Sequence, residues 1–360
     1  SGELNTVPVL DARLQVIQSV GRIEDLITVE AGNGDDDTIA GNDGRDRIFG
    51  GNGSDTIDGG AEADVIFGDQ GHMGYLSADY FGVAETESTD VNLSTLDVIE
   101  SVDTAAADGA GDVITDDASD DIIIGGQGDD VIHAGAGQNI IFGDHGKLLG
   151  VDTGVNTPVP ATKSDDDYQM QVLGLVTSIA TGTINGAANE EGNGNDVIVT
   201  GVGRDMIFGG GGDDQINSFA DAGGTAVLDG NNIVFGDHGL VDYLAEEIAQ
   251  ADPVMNPVRT NDIDRVWSIA TPMGGKDTIV AGDRNDIILG GTDEDWITSG
   301  RGNNLVLGDN GELTSAAFDT TPEMIFAVHE FIVCKIETTG YEDGGRDFIT
   351  GSDLNDILFG

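Results

Sequence analysis

Basic residues are scarce. Lysine and arginine total 14 against 67 aspartates and glutamates in 360 residues, a formal net charge of -53. Such a chain cannot neutralise a phosphate backbone, which argues against nucleic acid as a partner and against an anionic membrane surface. A compact fold carrying this charge repels itself unless cations are bound. Cysteine is nearly absent. Cys334 is the single one, so no internal disulfide can staple the fold, and its apolar neighbours Phe331, Ile332 and Val333 predict a buried thiol. Seven prolines and no G-X-Y period exclude collagen despite 56 glycines. There is no apolar run of 18 residues, so no membrane-spanning helix is expected, and no signal-peptide pattern opens the chain.

Catalytic patterns are missing too. His329-Glu330 lacks the second histidine of HExxH, there is no GxSxG, and no glycine run ends in GKS or GKT. The expectation is a protein that is not an enzyme. Acidity alone would suggest disorder, but 38% of residues are hydrophobic and they recur at fixed spacing.

That spacing is nine. From Gly50 the chain reads GGNGSDTID and then GGAEADVIF; GGQGDDVIH starts at Gly125, GGGGDDQIN at Gly209 and GGTDEDWIT at Gly290. Asp37, Asp46, Asp55 and Asp64 are nine apart, as are Asp112, Asp121, Asp130 and Asn139, and Asp277, Asp286, Asp295 and Asn304. Asp196, Asp205 and Asp214 follow the same rule, with Asn232 displaced by an insertion, and Asp347 and Asp356 begin a further block. Each complete block closes on a G-D-x-G phrase holding Asp69, Asp144, Asp237 or Asp309. The D-x-U-x half of each nonapeptide, with U apolar and often β-branched, reads as a very short strand. The G-G-x-G half is a turn needing glycine.

Tandem G-G-x-G-x-D-x-U-x nonapeptides resemble the RTX calcium-binding repeat family. The resemblance implies an all-β fold: a right-handed parallel β-roll, or β-solenoid, with two nonapeptides per turn and about two turns per block. It also implies calcium as cofactor, held between successive turns by aspartate carboxylates and glycine-turn carbonyls. Calcium prefers six to eight oxygen ligands, which such turns can supply. The candidate ligands are the aspartates and asparagines of the nine-residue columns named above. The closing Asp69, Asp144, Asp237 and Asp309 are candidates both for a further ion and for turn or strand-end caps. Asp129 and Asp213, beside the column, are expected to be solvated.

The blocks span 31–71, 108–146, 192–239 and 274–311, with a fifth beginning at 344–360. Between them lie excursions at 72–107, 147–191, 240–273 and 312–343, and residues 1–30 read as the end of a preceding one. Each returns through an apolar strand: LDVIESV at 96–102, LGLVTSIAT at 173–181, DRVWSIAT at 264–271 and FIVCKIETT at 331–339, with LQVIQSV at 14–20 in the same set. They predict β-rich inserted hairpins or lobes, which either decorate the surface or dock laterally on a neighbouring block or chain. The stretch EMIFAVHEFIVC at 323–334 fits a helix or a strand. His145 and His238 share one G-D-H-G turn position with Gln70 and Asn310, which predicts a hydrogen-bonding turn residue over a zinc ligand or a base.

Opening and closing in mid-repeat, the sequence reads as a window on a longer array. The function expected is a calcium-stiffened structural segment of a large secreted or cell-surface protein (a fibre, adhesin stalk or surface layer), most simply Gram-negative and exported by type I secretion. Self-association or neighbouring repeats of the same protein would be its partners. The alternative is the calcium-binding module of a secreted toxin or hydrolase whose catalytic domain lies elsewhere.

Overall fold

The computed structural model of the chain describes residues 6–10, 16–20, 25–29, 34–74, 96–102, 109–150, 173–180, 194–218, 230–243, 245, 263–315 and 333–360. The fold is all-β, built of three nine-stranded sheets and one separate two-stranded pair.

Alternate nonapeptides feed alternate sheets. Thr38–Ala40, Thr56–Asp58, Val113–Thr115, Val131–Gly135, Val197–Thr200, Gln215–Asn217, Thr278–Val280, Trp296–Thr298 and Phe348–Thr350 make the first sheet. Arg47–Phe49, Val65–Phe67, Ile122–Ile124, Ile140–Phe142, Met206–Phe208, Ile233–Phe235, Ile287–Gly291, Leu305–Asp309 and Ile357–Phe359 make the second. Both are wholly parallel. Thr38 pairs with Thr56, so two nonapeptides form one turn. Register survives the excursions: Thr56 pairs with Val113, and Val131 with Val197.

The central residue of each strand faces between these two sheets. Ile57, Ile114, Ile132, Ile198, Ile216, Ile279 and Ile297 stack from the first sheet against Ile48, Ile66, Ile123, Ile141, Ile207, Val234, Ile288 and Val306 from the second. The outer face of the first sheet is wet, which is why Thr56–Asp58 has only its middle residue buried. The second sheet is covered on both sides, and strands such as Ile140–Phe142 are accordingly apolar throughout. Its outward residues form another column, with Phe142, Phe208 and Phe235 rings stacked at centroid distances of 4.7 and 4.8 Å.

The third sheet covers that column. It is antiparallel and comes from the excursions: Gly71–Gly74 with Val98–Ser101, Gly146–Gly150 with Leu173–Ser178, Gly239–Asp242 with Arg265–Ser268, and Gly311–Ser315 with Val333–Thr338. Each pair is a hairpin, and adjacent hairpins are joined by further strand pairing, for example Leu148 with Ile99. Met73, Ile99, Leu148, Val176, Val241, Val266 and Leu313 pack with the phenylalanine column to form a second core. The described parts of the excursions thus dock on their own solenoid. In the closing phrase, the second glycine lies under the preceding ring: a Cβ on Gly71, Gly146 or Gly239 would strike Phe67, Phe142 or Phe235.

Three sequence expectations need correction or limits. Cys334 is exposed, not buried, because Val333–Thr338 is the terminal strand of its sheet among the described residues; the thiol meets the Ser315 carbonyl at 2.7 Å. Val16–Val20, in LQVIQSV, does not join the third sheet but pairs with Thr6–Leu10. Asp25–Ile27 takes the sheet position instead, pairing with Gly71–Gly74. That strand stands closer to the first repeat aspartate: Asp25 precedes Asp37 by the same twelve residues that separate Arg265 from Asp277. Residues 323–332 of the ambiguous apolar stretch lie outside the described residues, and only its end, from Val333, is a strand.

Candidate metal centre

The repeat aspartates and asparagines stack into two continuous ladders, one at the entry to each parallel sheet. In the first, Oδ1 of each residue accepts the backbone N–H of the equivalent residue one turn earlier. Asp37 donates to Asp55 at 2.7 Å, Asp55 to Asp112 at 2.7 Å, Asp112 to Asp130 at 2.7 Å and Asp130 to Asp196 at 2.8 Å. The series continues through Asp214 and Asp277 at 2.8 and 2.9 Å to Asp295 and Asp347 at 2.9 and 3.2 Å. The second ladder runs Asp46, Asp64, Asp121, Asn139, Asp205, Asn232, Asp286, Asn304 and Asp356, every link between 2.7 and 3.0 Å. Eighteen of the predicted residues are thus brought together, the irregular Asp37 and Asp112 included. The insertion before Asn232 does not break the sequence of bonds.

Using Oδ1 on the backbone leaves Oδ2 free to point elsewhere. In Asp55, Asp112, Asp130, Asp196, Asp214, Asp277, Asp295 and Asp347 of the first ladder this oxygen is buried with no hydrogen-bond partner among the described residues. Asp130, Asp196 and Asp295 are fully shielded, at 0% exposure. An orphaned buried carboxylate oxygen is costly, and here it recurs turn after turn.

The oxygens share their surroundings with glycine carbonyls. A Cβ built on Gly50 would collide with both Asp55 Oδ2 and the Gly68 carbonyl oxygen. The same holds of Gly125 with Asp130 and Gly143, of Gly209 with Asp214 and Gly236, and of Gly290 with Asp295 and Gly308. Glycine therefore leaves a small space lined by a carboxylate oxygen from one turn and a carbonyl oxygen from the next. At Gly51 and Gly126 the backbone also takes φ of +109° and +118°, which glycine alone adopts without strain.

Electrostatics calls for a cation there. Burial pushes Asp112 up to about 7, with the like charge of Asp55 adding to it. Burial and then Asp277 push Asp295 up to about 9. Asp130, Asp214 and Asp277 are raised well above the usual carboxylate range, burial again leading and neighbouring aspartates following. Left metal-free, these groups favour the protonated form. A hard cation among oxygen-only donors reverses that preference, and the donor set fits calcium.

The closing aspartates behave differently. Asp144 accepts the N–H of Gly194 at 3.0 Å and of Gly211 at 2.6 Å. Asp237 accepts those of Gly275, at 2.9 Å, and Thr292. Asp69 accepts from Gln127 at 2.5 Å and Asp309 from Gly345 at 3.0 Å. Of the two roles the sequence left open, these bonds supply the cap: each carboxylate clamps the turns of the following block. Asp129 and Asp213 are exposed and accept the N–H of Asn195 and Lys276 in an outer ladder at 2.8 and 2.9 Å.

His145 and His238 are buried at 3% and 1% exposure, and neither ring nitrogen of either has a hydrogen-bond partner among the described residues. The expected hydrogen-bonding role is therefore not found for the rings. Burial lowers both to about 4, which keeps them neutral packing groups. Asn310 in the same place does bond, to the Gly291 carbonyl at 3.2 Å.

One acidic residue escaped the periodic reading. Asp116 stands where the repeat has glycine, and its carboxylate lies with those of Asp64 and Asp121, all within 4.8 Å of one another. The signal was present as an Asp at a glycine position, but a search for the aspartate column passes over it.

Together these features define a cation-binding parallel β-solenoid. The comparison with protein families agrees: the RTX calcium-binding nonapeptide repeat matches in four copies, over residues 31–66, 107–146, 192–218 and 273–306. The chain carries RTX nonapeptide repeats, and these are calcium-binding repeats. Neither the curated proteins nor the solved structures yield a match. No helix of the described residues is long and apolar enough to cross a membrane.

Proposed function

We propose that this chain is a calcium-dependent structural segment of a larger extracellular or cell-surface protein, and that it has no catalysis of its own. One observation carries the reading: a ladder of buried carboxylates, each with one oxygen committed to the backbone of the preceding turn and the other facing a glycine carbonyl. Calcium, when bound, supplies the positive charge that lets these turns stack. The ladder residues hold the register, the glycines keep the cradle open, and the closing aspartates clamp one block to the next. Metal binding is then folding, and the folded rod is stiff because every turn is bonded to its neighbours.

Low cytosolic calcium would leave such a chain unfolded for export, which fits type I secretion from a Gram-negative cell. The continuous third sheet favours a rod over a module attached to a toxin or hydrolase, because it ties successive blocks into one body. Neighbouring repeats or further copies of the protein would be its partners. The test is circular dichroism with light scattering as calcium is added to the chelated chain. Cooperative β-structure near millimolar calcium, not reproduced by magnesium, is expected, with growth in scattering if copies associate. A chain fully folded in excess chelator at neutral pH would refute it.

A further inference from the structure

The two edges of the solenoid are not equivalent. On the edge between the second sheet and the first ladder, the residue two after the central strand residue is glycine at all nine levels: Gly50, Gly68, Gly125, Gly143, Gly209, Gly236, Gly290, Gly308 and Gly360. Every ladder residue on that edge is aspartate. On the opposite edge, the residues at the same position are Gly41, Gly59, Asp116, Ala134, Thr200, Ser218, Ala281, Ser299 and Gly351. All three asparagines of the ladders stand on this edge.

The substitutions change what fills the space. Ala134 and Ala281 are buried, at 0% and 2% exposure, and belong to the apolar core between the sheets. Ser218 and Ser299 are fully buried at 0%, and their hydroxyls receive the amides of the asparagines: Asn232 Nδ2 at 3.3 Å and Asn304 Nδ2 at 3.1 Å. At these two levels Oδ1 accepts a backbone N–H and Nδ2 donates to a serine, so the side-chain amide is bonded at both ends.

We infer that calcium is held along the all-glycine edge, and that on the opposite edge the Ser218–Asn232 and Ser299–Asn304 levels hold no ion, because their side chains close the space by hydrogen bonds. This rests on the calcium reading above. The ions belong in the seven spaces beside Gly50, Gly68, Gly125, Gly143, Gly209, Gly236 and Gly290, each shared by a ladder carboxylate and a carbonyl of the next turn. The second edge has two such places as well, beside Gly41 and at the Asp64–Asp116–Asp121 cluster. At these two levels asparagine removes a buried charge that a cation would otherwise have to balance, while its Oδ1 still holds the register.

The experiment is a calcium count by equilibrium dialysis and a thermal midpoint in saturating calcium, on the whole chain and two variants. Asn304→Asp tests the closed edge: it is expected to add no ion and to lower the midpoint, because it buries a charge beside Ser299. Asp295→Asn tests the open edge without changing shape: one fewer charged ligand should weaken the ion at its cradle about tenfold, read as one fewer bound ion at a calcium concentration that just fills the wild-type chain. An Asn304→Asp chain that gains an ion, or an Asp295→Asn chain that keeps its full count, overturns the inference. If Asn304→Asp fails to fold even in calcium, that too supports a closed edge, and Asp295→Asn still decides the open one. Wild-type chain that takes up no calcium at all would instead sink the underlying functional reading.

Discussion

Replacing Asp130 by asparagine separates the two jobs of a ladder residue. Asp130 is fully buried; Oδ1 accepts the Asp112 N–H at 2.7 Å, while Oδ2 has no hydrogen-bond partner among the described residues and faces the space beside Gly125. Asparagine keeps the first and changes the second, and Asn139 already does so one half-turn on, accepting the Asp121 N–H at 3.0 Å. In calcium, one fewer charge at the cradle should weaken binding there about tenfold, or about 1.4 kcal/mol. In chelator the sign reverses. Burial and Asp196 make the Asp130 charge unfavourable in the folded state, so its removal stabilises the metal-free fold. Asp130→Ala should destabilise under both conditions, by about 1–3 kcal/mol, because the buried Asp112 amide loses its acceptor. The assay is thermal melting by circular dichroism in calcium, and in chelator at a pH where the chain is partly folded. If asparagine and alanine lower stability alike in both buffers, the separation of backbone and ion roles is refuted.

Acid should replace calcium. Folded-state values of about 6 for Asp64, about 7 for Asp112 and Asp121 and about 9 for Asp295 all exceed the 3.8 of the free side chain, so the folded state binds these protons more tightly. The resulting stability is complete below about pH 4 and is lost as pH rises through about 6 to 9; dichroism of the chelated chain against pH reads it, and no gain on acidification would refute it. Arg284 holds φ of +104° at the fourth position of its turn, where Gly128, Gly212 and Gly302 stand in other repeats. Arg284→Gly should raise stability by about 1 kcal/mol in urea unfolding in calcium, by relief of that strain. Phe208, buried at 1% between two stacked rings, faces the third sheet and not the ladders. Phe208→Ala should cost about 3–5 kcal/mol in the same unfolding assay and leave the calcium count unchanged.

Much of this protein was legible in one dimension. Nine-residue spacing of Asp37, Asp46, Asp55 and their counterparts is a local property, because each nonapeptide carries its own turn and its own three-residue strand. A repeat can stack only on copies of itself, so period, parallel pairing and calcium followed from the residues and from their resemblance to a known repeat. What the spacing could not separate was which face each repeat serves. Asp295 and Asn304 are one nonapeptide apart and similar in pattern, yet alternate repeats lie on opposite edges, and only the stacked turns place Ser299 against Asn304 and leave the space beside Gly290 open to Asp295. The excursions were least readable, since their strands find partners in other excursions: Ile99 meets Leu148 only because two blocks of solenoid hold their hairpins side by side. Cys334 failed for the same reason. Its apolar neighbours are a local fact, whereas its exposure depends on lying in the last strand of a sheet. Sequence determined the repeating unit and its chemistry. Tertiary structure decided what each unit faces, because burial belongs to the stack and not to the strand.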